Sequence, residues 1–139
     1  MKVFFISAVI TIISLVGLSA QATALDATDT TLSAAGDAKK GKRLFNRCKA
    51  CHNLTAAPRH RMGPNLNGLF GRHSAAAEGY KYSKAMLATN FVWDEAKLDE
   101  WLAKPKAFLP GNKMIFPGLK KEQDRKNIIA YLRDATITK

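Results

Sequence analysis

Apolar residues fall into one unbroken run near the N-terminus and then into spaced sets separated by loop-forming residues. The run from Val3 to Leu18 follows Met1 and Lys2 and is interrupted only by Ser7, Thr11, Ser14 and Gly17. It is short for a bilayer span, which needs roughly 20 residues. The small residues Ala22-Thr23-Ala24 behind it fit the cleavage pattern of a secretory signal, so residues 1–24 are predicted to be a cleaved signal rather than a retained anchor. Residues 25–35, small, polar and rich in Thr and Ala, read as a flexible N-terminal lead.

From Gly36 the pattern becomes helical. Ala38, Gly41, Phe45 and Cys48 recur at spacings of three and four, with basic residues between them and Asp37 as N-cap, which predicts a helix from Gly36 to Cys51. The stretch from Asn53 to Ala77 holds Pro58, Gly63, Pro64, Gly68 and Gly71 and reads as loop. A short helix is predicted over Ser83–Thr89. A longer one, Asp94–Lys104, has Leu98, Trp101 and Leu102 on one face, Asp94 as cap and Pro105 as terminator. Lys106 to Gly118 reads as loop again. Leu119–Thr136 forms the last helix, with Ile128, Ile129, Tyr131 and Leu132 apolar among charges.

Alternating apolar and polar positions are scarce, so no sheet is expected. The fold class is all-α, a single small domain over residues 36–139. Its loops are long for so small a domain, which suggests that something besides side chains fills the core. A large flat cofactor would do so.

Composition changes this picture in two ways. The chain has 139 residues and a formal charge of +11. Without Lys2 of the signal, 21 basic residues still face 11 acidic ones. Such a surface favours acidic partners, nucleic acid or anionic membranes, and export to the periplasm removes nucleic acid from the candidates. The second point is the pair Cys48 and Cys51, the only cysteines. A disulfide between them would close a tiny loop and stabilise little, so another use is expected.

That use is written in Cys48-Lys49-Ala50-Cys51-His52, the attachment pattern of c-type haem. Two thiols three residues apart on a helical turn reach the two vinyl groups along one side of a porphyrin. The next residue, His52, then presents its imidazole to the iron. A dithiol redox pair would need a βαβ context, and zinc would need further paired ligands; His60 and His73 are scattered through loops.

The sixth iron position decides between a carrier and an enzyme or gas-binding protein. Met62 lies only ten residues after His52, and Met86 sits at the start of a predicted helix, where it serves as core. Met114 sits between Pro110 and Pro117, in a loop stiff enough to hold a thioether in place. Met114 is therefore the favoured ligand. A His/Met pair raises the reduction potential and leaves the ligands unchanged between redox states, which suits electron transfer.

Several motifs in order now carry a resemblance. Gly41-Lys42-Arg43-Leu44-Phe45, the Cys48–His52 motif, Gly63-Pro64-Asn65-Leu66-Asn67-Gly68-Leu69-Phe70-Gly71-Arg72, Pro110-Gly111-Asn112-Lys113-Met114-Ile115-Phe116 and Ile129-Ala130-Tyr131-Leu132 resemble the class I c-type cytochromes. That family includes mitochondrial cytochrome c and its soluble bacterial periplasmic relatives. The resemblance covers nearly all of the chain after the signal. It implies one covalent haem c held by Cys48 and Cys51, axial ligands His52 and Met114, and a Pro64 carbonyl that accepts from the His52 ring. It implies that Arg72, Tyr82 and Trp93 surround the haem propionates, and that Gly41, Phe45, Ile128 and Tyr131 or Leu132 form the crossing of the first and last helices.

The resemblance also implies a monomeric single-electron carrier rather than an enzyme. Its partners would be acidic faces of a quinol-cytochrome c reductase and of a terminal oxidase or photosynthetic reaction centre, with transient contact at the membrane surface. Respiratory and photosynthetic chains are both open. Arg47, Arg61, Lys106, Lys113, Lys120 and Lys121 would ring the exposed haem edge and steer such partners. The chain departs from the mitochondrial pattern in three places. The span from Phe45 to Cys48 is one residue shorter, Trp101 replaces a tyrosine, and Met86 replaces a polar residue near the haem interior.

Overall fold

A computed structural model describes residues 35–136. The signal predicted at residues 1–24 and nearly all of the 25–35 lead lie outside the described residues. Five helices follow in order: α1 Ala38–Phe45, α2 Lys84–Leu87, α3 Glu95–Ala103, α4 Pro105–Phe108 and α5 Glu122–Thr136. Among the described residues the one β contact is an isolated antiparallel bridge between His73 and Val92, so the all-α expectation holds.

Helix α1 starts where its cap allows. Asp37 is extended and its carboxylate accepts from the Lys40 N–H at 3.0 Å, satisfying a donor that has no partner inside the helix. The helix is shorter than predicted. After Phe45 the chain continues as hydrogen-bonded turns: Cys48 and Lys49 N–H donate to the Phe45 carbonyl, and Cys51 and His52 N–H to the Cys48 carbonyl. Asp94 and Ser83 cap α3 and α2 in the same manner.

The stretch 106–118 is not wholly loop. Pro105 ends α3 as expected, but it also occupies the first position of α4, where a missing N–H costs nothing. The last helix begins at Glu122 rather than Leu119. Leu119 is buried and uses its N–H on the Leu102 carbonyl at 2.8 Å, which commits it to packing under α3 instead.

Helices α1 and α5 cross at close range. A methyl group on Gly41 would fall on the Asn127 carbonyl, and one on Gly36 on the Lys126 carbonyl, so only glycine lets the backbones approach this far. The Asp37 N–H donates to Asn127 Oδ1 at 2.8 Å, and the Phe45 ring meets Tyr131 with centroids 5.4 Å apart. Arg125 of α5 forks onto Asp99 of α3 through Nε at 2.8 Å and Nη2 at 3.2 Å. Arg133 and Glu95 pair beside it.

Phe45, Leu98, Leu102, Ile128 and Leu132 from these helices are buried together with Leu69, Met86, Trp93 and Trp101. Phe91, Trp93, Trp101 and Phe108 close a ring of edge-to-face contacts, with successive centroids 4.7 to 5.7 Å apart. Residues of this apolar body line a cavity together with residues of the segment 46–83 and of the loop 112–116. Among the described residues no helix is long and apolar enough to cross a membrane.

Candidate functional site

The cavity has a volume of about 450 Å³. The chemistry-bearing residues predicted from the sequence all reach it. Cys48, Cys51, His52, Pro64, Arg72, Tyr82, Trp93 and Met114 line it together. Met62 and Met86 line it too, but Met62 is 75% exposed at its mouth, whereas Met86 is buried in the core as predicted.

The turn that follows α1 brings both thiols and the imidazole onto one wall. Cys48 and Cys51 are free and half-buried. Burial pushes the Cys48 thiol up to about 11, so at neutral pH it carries its proton. Such a thiol would add its S–H across a haem vinyl group, sulfur to one carbon and hydrogen to the other, to give a thioether.

His52 is held in one tautomer. Its Nδ1 lies 2.7 Å from the Pro64 carbonyl oxygen, which can only accept, so Nδ1 bears the hydrogen. Nε2 is left with a lone pair, and no hydrogen bond among the described residues uses it. Burial also pulls the His52 pKa below the ordinary histidine range, which favours the neutral ring that a metal requires; the Pro64 bond opposes this more weakly.

Met114 enters from the loop after α4, and Asn112 fixes that loop. Asn112 is buried, and its amide donates to the Pro105 and Leu109 carbonyls at 2.8 and 2.7 Å. Its Oδ1 accepts from the Met114 N–H at 2.9 Å. One side chain thus ties the methionine to α4. The sequence pointed to stiffness from Pro110 and Pro117 and assigned Asn112 no part.

Asn65 ties together the loop that follows His52. Its amide donates to the Thr55 and Ala57 carbonyls, its Oδ1 accepts from Asn67 N–H, and its own carbonyl accepts from Arg72 Nη2 at 3.0 Å. The His60 ring joins in: Nδ1 accepts from Asn65 N–H and Nε2 donates to the Glu78 carbonyl at 2.6 Å. His60, unassigned by the sequence reading, is a strut between two loops.

Arg72 also donates through Nη1 to the Asn67 carbonyl at 3.0 Å, leaving further N–H donors toward the cavity. Backbone pairing of Gly71 and Arg72 with Trp93 sets these two residues side by side. The Tyr82 hydroxyl accepts from Ala77 N–H at 3.2 Å and keeps its own proton to donate. Burial raises the Tyr82 phenol above its ordinary range, so that proton stays in place. Neither the Trp93 nor the Trp101 indole N–H has a hydrogen-bond partner among the described residues.

The residues present fit a covalently attached haem. The walls are mostly apolar, with two thiols and an imidazole on one side, a thioether available and cationic or donor groups for carboxylates. No Asp or Glu lines the cavity. Nor, among the described residues, does any group of three or more His, Cys, Asp or Glu come together as a metal site, which leaves the zinc reading without ligands.

Comparison with known proteins agrees. The family model for cytochrome c matches residues 38–136. The chain belongs to the cytochrome c family. It is 50% identical over 99 residues to cytochrome c-554 of Methylosinus trichosporium, covering 71% of this chain and 75% of that protein. It is 48% identical over 101 residues to cytochrome c of Kluyveromyces lactis, covering 72% and 92%. Over 97 residues it is 47% identical to cytochrome c-550 of Nitrobacter winogradskyi, covering 70% and 89%. This cytochrome therefore carries one haem c, attached through two thioethers at the Cys48–His52 motif. It moves single electrons as a redox partner of larger complexes and is not an enzyme.

Four of the six basic residues expected around the haem edge make side-chain contacts. Arg47 lies over the Phe116 ring, 5.8 Å from its centroid, and Arg61 Nε donates to Asn53 Oδ1 at 2.6 Å. Lys106 and Lys113 donate to backbone carbonyls. Lys120 is exposed, as is Lys121, whose carbonyl accepts from Arg125 N–H. Among the described residues none of the six pairs with a carboxylate. Several acidic residues are instead engaged elsewhere, as in Asp99–Arg125, Glu100–Lys97 and Glu122–Lys126.

Proposed function

We propose that His52 and Met114 are the two axial ligands of the haem iron, and that the chain shuttles electrons between membrane-bound complexes through the basic rim of the cavity. The observation that carries this is the joint lining of one cavity by the Cys48–Cys51 pair, an imidazole with a free Nε2, and a thioether on a pinned loop.

Haem c supplies an iron that gains and loses one electron. The remaining work falls to the chain. His52 offers a nitrogen whose direction is set by the Pro64 carbonyl. Met114 offers sulfur from a loop that Asn112 holds to α4. Donors fixed in this way keep their positions when the site changes charge, so little structural rearrangement opposes the electron. Arg72, Tyr82 and Trp93 supply N–H and O–H donors for the propionates, whose negative charge would otherwise be buried without partners.

The rim completes the reading. Among the described residues Arg47, Arg61, Lys106, Lys113, Lys120 and Lys121 form no ion pair with a carboxylate, so their field extends outward and favours an acidic face of a quinol-cytochrome c reductase, a terminal oxidase or a photosynthetic reaction centre. A signal at residues 1–24 would deliver the carrier to the periplasm, where it would act as a monomer. The test is the rate of electron exchange with a purified acidic redox complex against ionic strength. The rate should fall steeply as the Debye length contracts from about 30 Å at 0.01 M toward about 8 Å at 0.15 M. A rate independent of salt would contradict docking through the basic rim.

A further inference from the structure

The basic residues of the rim differ in what their charged groups are free to do. Arg61 commits Nε to Asn53, and the ammonium groups of Lys106 and Lys113 are committed to backbone carbonyls. Lys120 and Lys121 are exposed, and no hydrogen bond or ion pair among the described residues fixes the direction of either ammonium. Arg47 is both held and free. Its guanidinium carbon lies over the Phe116 ring, 5.8 Å from the centroid, within the range of a cation–π contact. The residue is exposed, and its five N–H donors have no acceptor among the described residues. The backbone beneath is fixed as well, with the Arg47 N–H on the Leu44 carbonyl at 3.1 Å. Arg47 immediately precedes Cys48, and Phe116 comes shortly after Met114, so the pair bridges the turn that carries the thiols and the loop that carries the thioether. Both line the cavity.

We infer that Arg47, steadied on Phe116, is a receptor for a single carboxylate side chain of the redox partner rather than one more diffuse charge of the rim. The inference rests on docking through that rim. A guanidinium presents parallel N–H donors in a planar fork that matches both oxygens of a carboxylate, which an ammonium of the same charge cannot do. Resting on the ring, the fork loses less freedom on binding than an untethered side chain would. A carboxylate seated there lies next to Cys48, beside the point of haem attachment, and so fixes the partner's register over the cavity.

The probe is a purified quinol-cytochrome c reductase, and the readout is its second-order rate of electron exchange with the haem-loaded protein at several salt concentrations. Arg47→Lys keeps every charge and loses the fork. It should lower the rate about tenfold at low salt and leave the steepness of the salt dependence unchanged. Lys121→Met removes one unfixed charge and should lower the rate by no more than about threefold, with a shallower salt dependence. Phe116→Leu should slow the parent about threefold and slow Arg47→Lys by less, because the ring acts through the guanidinium. Arg47→Lys should keep the parent's far-red absorption and denaturation midpoint. If Arg47→Lys exchanges electrons as fast as the parent while the parent's rate still falls with salt, the receptor is refuted and the rim reading stands. Loss of the far-red band in Arg47→Lys would trace its slowing to the iron site and refute the receptor too. Equal slowing by Phe116→Leu in both backgrounds would refute the platform. A parent rate that ignores salt removes the rim reading and the receptor with it.

Discussion

Gly63 rests against the face of the His52 imidazole so closely that a methyl group there would overlap Cε1, Nδ1 and Nε2 of the ring. The neighbouring Pro64 carbonyl holds Nδ1 at 2.7 Å. One dipeptide therefore sets both the plane and the tautomer of the histidine. Absence of a side chain at residue 63 is as much a part of the site as the carbonyl at residue 64.

Gly63→Ala should displace the ring. The backbone at Gly63 is itself tied, with its N–H on the Cys51 carbonyl at 2.8 Å, so the strain cannot be relieved by a simple shift. Overpacking of this kind costs about 3 kcal/mol. Guanidinium denaturation of the haem-loaded variant should show that loss, and its visible spectrum should show a weakened low-spin signature. Parental stability and spectrum would mean that the chain can accommodate the methyl group and that Gly63 has no positioning role.

Asn112→Leu should loosen the opposite ligand. The substitution is similar in size but leaves the Pro105 and Leu109 carbonyls and the Met114 N–H without their partner. Stranding buried backbone groups should cost about 3 kcal/mol. In a denaturant titration the far-red absorption of thioether-bound ferric haem should disappear well before the helices melt. Simultaneous loss of both signals, at the parental midpoint, would contradict the role given to Asn112.

Much of this architecture is legible in the sequence, and the failures have physical causes. Asp37 and Asp94 announce their helices because a short carboxylate before an apolar period has few other uses. The spacing of Cys48, Cys51 and His52 announces the cofactor because all three groups lie on one short turn. Helix α4 escaped because Pro105 served as a stop signal while also fitting a helix start, and four residues are too few to show a period. The periodicity overstates helix α1 because Cys48 continues the three-and-four spacing after the backbone has passed into separate turns. Gly63, Asn65 and Asn112 act through partners distant in space or through backbone groups, and neither relationship leaves a pattern along the chain.

Alkaline stability offers a separate check on two phenols that line the cavity. Burial raises the phenols of Tyr80 and Tyr82 above their ordinary range near 10. The unfolded chain therefore releases these protons first as pH rises, and the folded state binds more of them. Stability contributed by the neutral phenols is complete below about pH 10 and is lost as pH climbs through that value toward the folded pKa. Tyr82→Phe should make the decline in denaturation midpoint above pH 10 shallower, with Tyr80→Phe doing so to a smaller extent. A decline unchanged in Tyr82→Phe would show that its phenol ionises equally in both states.

The axial pair is tested most directly by the far-red charge-transfer absorption of the oxidised protein, which reports sulfur bound to ferric haem. The parent should show the band, Met62→Ala and Met86→Leu should keep it, and Met114→Ala should abolish it while the haem stays covalently attached. Survival of the band in Met114→Ala, or its loss in Met62→Ala, would contradict the assignment of Met114 as the ligand opposite His52.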